Sequence, residues 1–399
     1  MPIKYIKYID KINLKGKRVL IRVDFNVPLD KAKNITDDTR IRSALPTIKY
    51  AMRQNAKVIL MSHLGRPKGK VNIEYSLLPV AKYLSKVLQK KVILAPDCIG
   101  PEVEKLVSEM KPKDVLLLEN LRFHPEEEKN DREFGRKLAS LTDVYINDAF
   151  GTAHRAHASN VAVVEFVKDF GGGFLMKNEI EYFRRAMVKP ARPLAAIMGG
   201  AKVSEKLDAL ENLIQKVDKI LIGGGMAFTF LKAQGYEVGK SLVEEELIET
   251  AKKIMAKAKE RKVPLLLPVD CVAADQLDPK ALTQVTSIQE IPPEWMGLDI
   301  GPATQILFSE SLKGAKTIVW NGPMGVFEME PFSKGTFAMV NTLAESSALT
   351  IVGGGDTDVA VHKLNATDKV SYISTGGGAF IEILKGKPLP AIAILERTG

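Results

Sequence analysis

Residues 349–357, Leu-Thr-Ile-Val-Gly-Gly-Gly-Asp-Thr, decide the fold class. Leu349 to Val352 is a short apolar run of buried-strand length, Gly353 to Gly355 end it, and Asp356 is a residue type that opens a helix. Strand, glycine turn and helix start make the unit of a parallel α/β sheet. The unit recurs through the second half, where candidate strands Pro193 to Met198, Lys219 to Ile222, Lys316 to Trp320 and Val370 to Ser374 run into IMGGAK, LIGGGM, VWNGPMG and ISTGGGA. Pro264 to Leu267 is a further candidate. In the first half the apolar runs are Arg18 to Phe25, Lys57 to Ser62, Lys91 to Ala95, Asp114 to Asn120 and Val144 to Asp148, separated by helix-length segments such as Arg40 to Gln54. The expectation is α/β, with two doubly wound parallel-sheet lobes and a cleft between them.

A boundary is expected at the flexible triplet Gly171 to Gly173. After it Met176, Ile180, Phe183 and Met187 recur at helical spacing and predict a linking helix. The lobes would be residues 1–170 and 171–385. The chain has 399 residues, 45% apolar and 26% charged, which excludes disordered, collagen-like and disulfide-scaffold classes. Neither a signal peptide nor a membrane span is expected. The two cysteines, Cys98 and Cys271, have neither CxxC spacing nor a His/Cys companion cluster, so a reducing cytoplasm is expected.

The net charge of +9 is uneven. Residues 1–170 hold 31 Lys/Arg against 21 Asp/Glu, and the remainder holds 26 against 27, so the first half carries the excess. An anionic partner for that half follows, either phosphate esters or nucleic acid. Ligands of open α/β sheets bind at the carboxyl ends of strands, and there the first half supplies Arg22, Asp24, Asn26, His63, Arg66, Arg122, His154, Arg155 and His157, with Arg40 opening a helix. Guanidinium forks match phosphate and carboxylate, so a small, multiply charged acid is the natural guest. Nucleic acid would want stacking aromatics among the basic residues, and aromatics are only 7% and dispersed.

In the second half, five glycine clusters at strand ends indicate a phosphate-bearing ligand, because glycine lets backbone amides approach an anion. Neither GxGxxG nor GxxxxGK[ST] is present. Asp356 reads as a magnesium ligand or as a helix cap. Lys202 and Lys206, four apart, are expected to share a helical face.

These residues carry a resemblance to the phosphoglycerate kinase family. It runs in order through RVDFNVP, SHLGRP, NLRFHPEE, NDAFGTAHRAHAS, GGAKVSEK, GGGMAFTF, WMGLDIGP, WNGPMGVFE, GGGD and STGGGA. The resemblance implies reversible phosphoryl transfer from 1,3-bisphosphoglycerate to MgADP, giving 3-phosphoglycerate and ATP, by a monomer whose lobes close and which binds neither nucleic acid nor membrane. By position, Arg22, Asp24, Asn26, His63, Arg66, Arg122, His154 and Arg155 would hold the glycerate, and Arg40 would face the transferring phosphoryl group. Lys202 and Lys206 would meet nucleotide phosphates beside Asn321 and Pro323, with Gly223 and Gly224 in the same site. Gly297 and Leu298 would line the adenine pocket and Glu328 would take the ribose. Gly353, Gly354, Gly355, Asp356 and Thr357 would hold phosphate and Mg2+, with Asp356 as the metal ligand. The amides of Gly376, Gly377 and Gly378 would stabilise the moving group. Residues 386–399 would return to the first lobe. Two positions depart from the family's commoner pattern: Asp358 after Thr357, where small residues are usual, and Phe380 after STGGGA, where serine is usual.

The chemistry fits the inventory, since transfer between an acyl phosphate and a diphosphate needs positioning and charge more than proton removal. The rivals are another acyl-phosphate kinase and a non-catalytic two-lobe anion binder, which turnover with other acids or an absence of turnover would reveal.

Overall fold

The computed structural model describes residues 5–396. The chain divides into two compact units, one running up to Glu181 and joined by the segment from Pro388 onward, the other Tyr182–Lys387.

The first unit is built on strands β1 (Arg18–Val23), β2 (Lys57–Met61), β3 (Val92–Leu94), β4 (Val115–Leu117), β5 (Val144–Asp148) and β6 (Asp169–Gly172). They form one parallel sheet in the order β3-β4-β2-β1-β5-β6. On one face Val19, Ile21, Val58, Leu60 and Ile146 pack with Ile41, Ala44 and Ile48 of helix Thr39–Arg53 and Val80 and Leu84 of helix Leu78–Leu88. Leu20, Ile59 and Tyr145, the alternate residues, are also buried. Burial on both faces explains why these strands read as continuous apolar runs, and each fully buried aliphatic side chain contributes about 1.5–3 kcal/mol. The chain winds one way from β1 through β2, β3 and β4, then resumes at β5 on β1's other side. The switch point therefore lies between the carboxyl ends of β1 and β5.

The second unit repeats this plan with β7 (Leu194–Met198), β8 (Lys219–Ile222), β9 (Leu265–Leu266), β13 (Thr317–Asn321), β14 (Leu349–Gly353) and β15 (Tyr372–Ser374), in the order β15-β14-β13-β7-β8-β9. Ala196 and Met198 pack on one face and Ala195 and Ile197 on the other. Its switch point falls between β7 and β13, where GGAK and NGPM begin. The expected class and the two parallel sheets are borne out.

Three local expectations are corrected. The triplet Gly171 to Gly173 is not a flexible joint: Gly171 and Gly172 pair with Ile146 and Asn147 in β6. A Cβ on Gly171 would overlap the Lys7 carbonyl, and one on Gly173 the Asp148 carboxylate, so glycine is there for close packing. The linking helix forms at Phe174–Phe183, with Met176 and Ile180 buried, and continues as a π-helical turn over Arg184–Val188. A three-stranded antiparallel sheet, β10 (Asp270–Ala274), β11 (Thr283–Ser287) and β12 (Met296–Ile300) in the order β11-β10-β12, was not expected. Its edge strand, TQVTS, is largely exposed and polar and gives no apolar run. Finally, Lys202 and Lys206 do not share a helical face: Lys202 lies in irregular backbone just before the turn that Lys206 N closes by donating to Val203 O, and the helix begins only at Leu207.

Helix Pro390–Leu395 packs in the first unit, where Ala391 N donates to Ala153 O at 3.1 Å. Residues 397–399 of the expected returning segment lie outside the described residues. Among the described residues no helix is long and apolar enough to cross a membrane.

Candidate active-site residues in the two units

At the switch point of the first unit, β1 delivers Arg22 to Asn26, β2 delivers Ser62 to Arg66, and the segment after β5 delivers His154 to Ser159. Asp24 is buried and pairs with Arg40 (Nη1 to Oδ2, 3.0 Å), which stands second in helix Thr39–Arg53. Burial pushes the Asp24 carboxyl up, but Arg40, His63 and Arg22 outweigh it and hold the group below its ordinary value. Asn26 Oδ1 accepts from Gly65 N (2.8 Å), and Arg122 Nη1 donates to Gly65 O (2.8 Å), so two expected ligands hold the SHLGR loop from either side. Gly65 has φ +59°, and a Cβ there would enter the Tyr75 ring.

The cations here are crowded. Burial and then Arg155 lower the Arg122 pKa, while for Arg155 burial and the neighbouring Arg66 and Arg22 overcome the pull of Asp24. Burial, with Arg22, Arg122 and Arg155 nearby, keeps His63 well below its usual range despite Asp24, and the same causes push His157 down to about 3. Both imidazoles are therefore neutral at pH 7. Against the guanidinium groups of Arg22, Arg40, Arg66, Arg122 and Arg155 stand the carboxylates of Asp24, Glu127 and Glu128. An incoming polyanion would relieve this imbalance, and the cations hold their places without one.

The members differ in access. Arg66 is exposed and Arg40 half-exposed, whereas Arg22 is fully buried. Arg22 donates to Ser159 Oγ (2.9 Å) and to the Val23 carbonyl, and its Nη2 lies 3.4 Å from His63 Nδ1. Its place is beneath the cluster, as a support, rather than among the groups that meet solvent. His154 Nε2 accepts from Arg155 Nε at 3.2 Å.

In the second unit the glycine clusters separate into two kinds. A Cβ on Gly199, Gly224 or Gly322 would strike the backbone of a neighbouring loop, and Gly200 N donates to Pro323 O at 2.9 Å. These glycines let the loops after β7, β8 and β13 pack on one another. Gly223 makes room for Met324, Gly297 for the Phe228 ring and Gly353 for the Phe380 ring. By contrast a Cβ on Gly355 or Gly377 would meet nothing within 4 Å. These two open the helices Gly355–Lys363 and Gly377–Leu384, whose free N–H ends attract anions.

Around them, Asn321 Nδ2 donates to Gly353 O (2.8 Å), and Asn321 Oδ1 accepts from Lys206 Nζ. Thr357 is buried, its hydroxyl accepting from Gly322 N at 2.9 Å. Burial pushes Lys206 down to about 8, with Glu205 and Asp356 pulling the other way. Asp356, Lys202 and Glu328 are exposed, and Leu298 is half-buried, its carbonyl accepting from Val326 N. The two departures resolve locally. Asp358 pairs with His362 one turn along its own helix (3.1 Å), and Phe380 is a core side chain.

Residues that motif reading missed are Glu127, Ser159 and Glu128. Glu127 is fully buried and accepts from Ser159 Oγ (2.6 Å) and Ser159 N (2.9 Å), while Glu128 pairs with Arg122 Nε at 3.1 Å. A run of glutamates at a helix start is usually solvated, so only the distant partner Ser159 reveals the role.

The comparisons agree with this geometry. The family model described as phosphoglycerate kinase matches residues 9–387. The phosphoglycerate kinase of Geobacter metallireducens is 65% identical over 395 residues, 99% of each chain, and that of Aquifex aeolicus 56% identical over 390 residues, 98% of each. Among solved structures, phosphoglycerate kinase from Coxiella burnetii superposes with a TM-score of 0.90 at 46% identity, covering 98% of this chain and 99% of that one. The one from Pyrococcus horikoshii OT3 gives 0.86 at 33% identity over 97% and 98%. Sheet order, strand-end residues and relatives converge, and the chain belongs to the phosphoglycerate kinase family.

Proposed function

We propose that the protein catalyses reversible transfer of the acyl phosphate of 1,3-bisphosphoglycerate to MgADP, giving 3-phosphoglycerate and ATP. The observation that carries this reading is the under-neutralised arginine cluster at the switch point of the first unit, between the ends of β1 and β5. The glycerate would meet Asp24, Asn26, His63, Arg66, Arg122, His154 and Arg155. The nucleotide phosphates would meet Lys202, Lys206 and the open helix ends at Gly355 and Gly377, with the base near Gly297 and Leu298 and the ribose near Glu328. Asp356 offers an exposed, hard oxygen in the first turn of helix Gly355–Lys363, which fits Mg2+, an ion that takes one or two carboxylates and leaves its other positions to water and phosphate. When bound, the ion would neutralise phosphate charge.

The chain's own part is positioning and charge. Both nucleophiles, a phosphate oxygen and a carboxylate, are already anions, and the neutral His63 serves as a hydrogen-bonding group rather than a base. Arg40 and Lys202 would meet the charge on the moving phosphoryl group, with the amides of Gly376 to Gly378. Direct transfer requires the two ligands to meet in line, so the reading includes closure of the units. It has small-molecule partners only, a monomer and a cytoplasmic setting. A coupled assay for ATP formation from 1,3-bisphosphoglycerate and MgADP tests it. Turnover supports the reading, and ligand binding without turnover would leave a non-catalytic anion binder.

A further inference from the structure

We infer that Glu127 is a positioning residue that sets the glycerate-binding segment 154–159, an inference that rests on the proposed function. Glu127 sits in the short helix Pro125–Glu128 with its side chain wholly removed from solvent. Such a carboxylate is costly to bury and persists only where partners are built for it. Burial pushes its pKa up, against Arg22 and the hydrogen bonds from Ser159. Its two oxygens divide the work: Oε2 accepts from the Ser159 amide at 2.9 Å, and Oε1 from the Ser159 hydroxyl at 2.6 Å. The Ser159 oxygen in turn accepts from Arg22 Nε at 2.9 Å. The Glu127 backbone adds a further tie, its carbonyl accepting from Ala158 N at 2.9 Å, and His157 Nδ1 lies 3.7 Å from Oε1.

The pinned stretch leads directly to the ligand-facing residues. Asn160, next to Ser159, donates through Nδ2 to the carbonyls of Thr152 (3.1 Å) and Arg155 (3.4 Å), closing the turn that carries His154 and Arg155. Tyr145 OH holds the Ser159 carbonyl from β5 at 2.8 Å. Glu127 touches no position proposed for the substrate; it acts through Ser159 and Arg22 on where His154 and Arg155 stand.

A glutamine at 127 keeps the shape but not the pairing. Its oxygen still takes the Ser159 amide, while its NH2 faces an Oγ that already accepts from Arg22. The hydroxyl proton is then left without its acceptor, and Arg22 loses one of the two carboxylates that face it, Asp24 remaining. Loss of a hydrogen bond to a charged group corresponds to about a tenfold or larger effect. In Glu127→Gln, KM for 3-phosphoglycerate and its Kd without nucleotide, read by calorimetry, should rise about tenfold or more. Saturating kcat and KM for MgATP should stay within about twofold. Ser159→Ala, which removes only the hydroxyl relay, should move the same two quantities in the same direction by a smaller factor, and it decides the matter if the glutamine variant does not fold. A lowered melting temperature with KM and Kd unchanged in the folded variant would overturn the inference and leave Glu127 as scaffold. If the wild-type protein itself showed no turnover of 3-phosphoglycerate with MgATP, the proposed function would fail instead; calorimetry on the variants would still read the positioning.

Discussion

His157 is held neutral inside the folded first unit, and this makes the unit's stability depend on pH in a calculable way. Its pKa is about 6.5 in an unfolded chain and about 3 in the folded protein, because burial and the cations Arg22, Arg122 and Arg155 oppose its protonation. The folded value is depressed, so below pH 6.5 the unfolded chain binds a proton that the folded one refuses. The stability that His157 contributes is thus fully present above about pH 6.5 and is lost as pH falls toward 3. Between pH 8 and pH 5 the unfolded state gains roughly thirtyfold from this one site, a loss of about 2 kcal/mol. His63, depressed for similar reasons, adds to the loss, while the raised Glu127 opposes it. A comparison with His157→Gln isolates the single contribution. Hydrogen exchange of the β1 and β5 amides, corrected for intrinsic rates, reports opening of this unit alone. The wild-type protein should lose about 2 kcal/mol more than the variant between pH 8 and pH 5. Equal losses in both would refute the claim that His157 is buried as a neutral imidazole.

Other outcomes follow from the site. Arg40→Ala should lower kcat about 10²–10³-fold with little change in either KM, measured by steady-state kinetics, because its charge is assigned to the transition state. Asp356→Ala should weaken MgADP in calorimetry while leaving metal-free ADP nearly unchanged, and equal weakening would make Asp356 a simple helix cap. Gly353→Ala would force a Cβ into the Phe380 ring and should cost about 1–3 kcal/mol of stability in denaturant unfolding. Gly355→Ala, with open space around it, should leave stability near wild type and raise the Kd for MgADP. Lys206, at about 8, loses its charge as pH rises, so ADP affinity should fall between pH 7 and 9, and Lys206→Met should remove that step from the binding profile.

What the sequence revealed, and what it hid, has a physical pattern. Strands buried on both faces, such as LAAIM at 194–198, announce themselves because every residue must be apolar. β6 did not, because the demand there is for missing side chains: Gly171 makes room for Lys7 and Gly173, just past the strand, for Asp148, and glycines of that kind look like a joint. The edge strand β11 is polar because it faces solvent. At the site, types and positions of the charged groups were legible from strand ends, since parallel sheets put ligands there. Their depth was not. Arg22 and Arg66 look alike in a string of letters, yet one is sealed behind Ser159 and the other exposed, a difference set by residues more than a hundred positions away. The glycine clusters likewise divide into loop-packing and open positions only through neighbours distant in sequence.

Each unit is proposed to carry one of the two anionic substrates at the carboxyl ends of its own parallel strands. Hydrogen exchange of the intact protein, with 3-phosphoglycerate alone and with MgADP alone, tests it directly. 3-Phosphoglycerate should protect amides around His63 to Arg66, Arg122 and His154 to Ser159 and leave Gly353 to Thr357 unchanged, and MgADP should do the reverse. Protection by MgADP confined to the arginine cluster, or by 3-phosphoglycerate confined to the glycine loops, would contradict it.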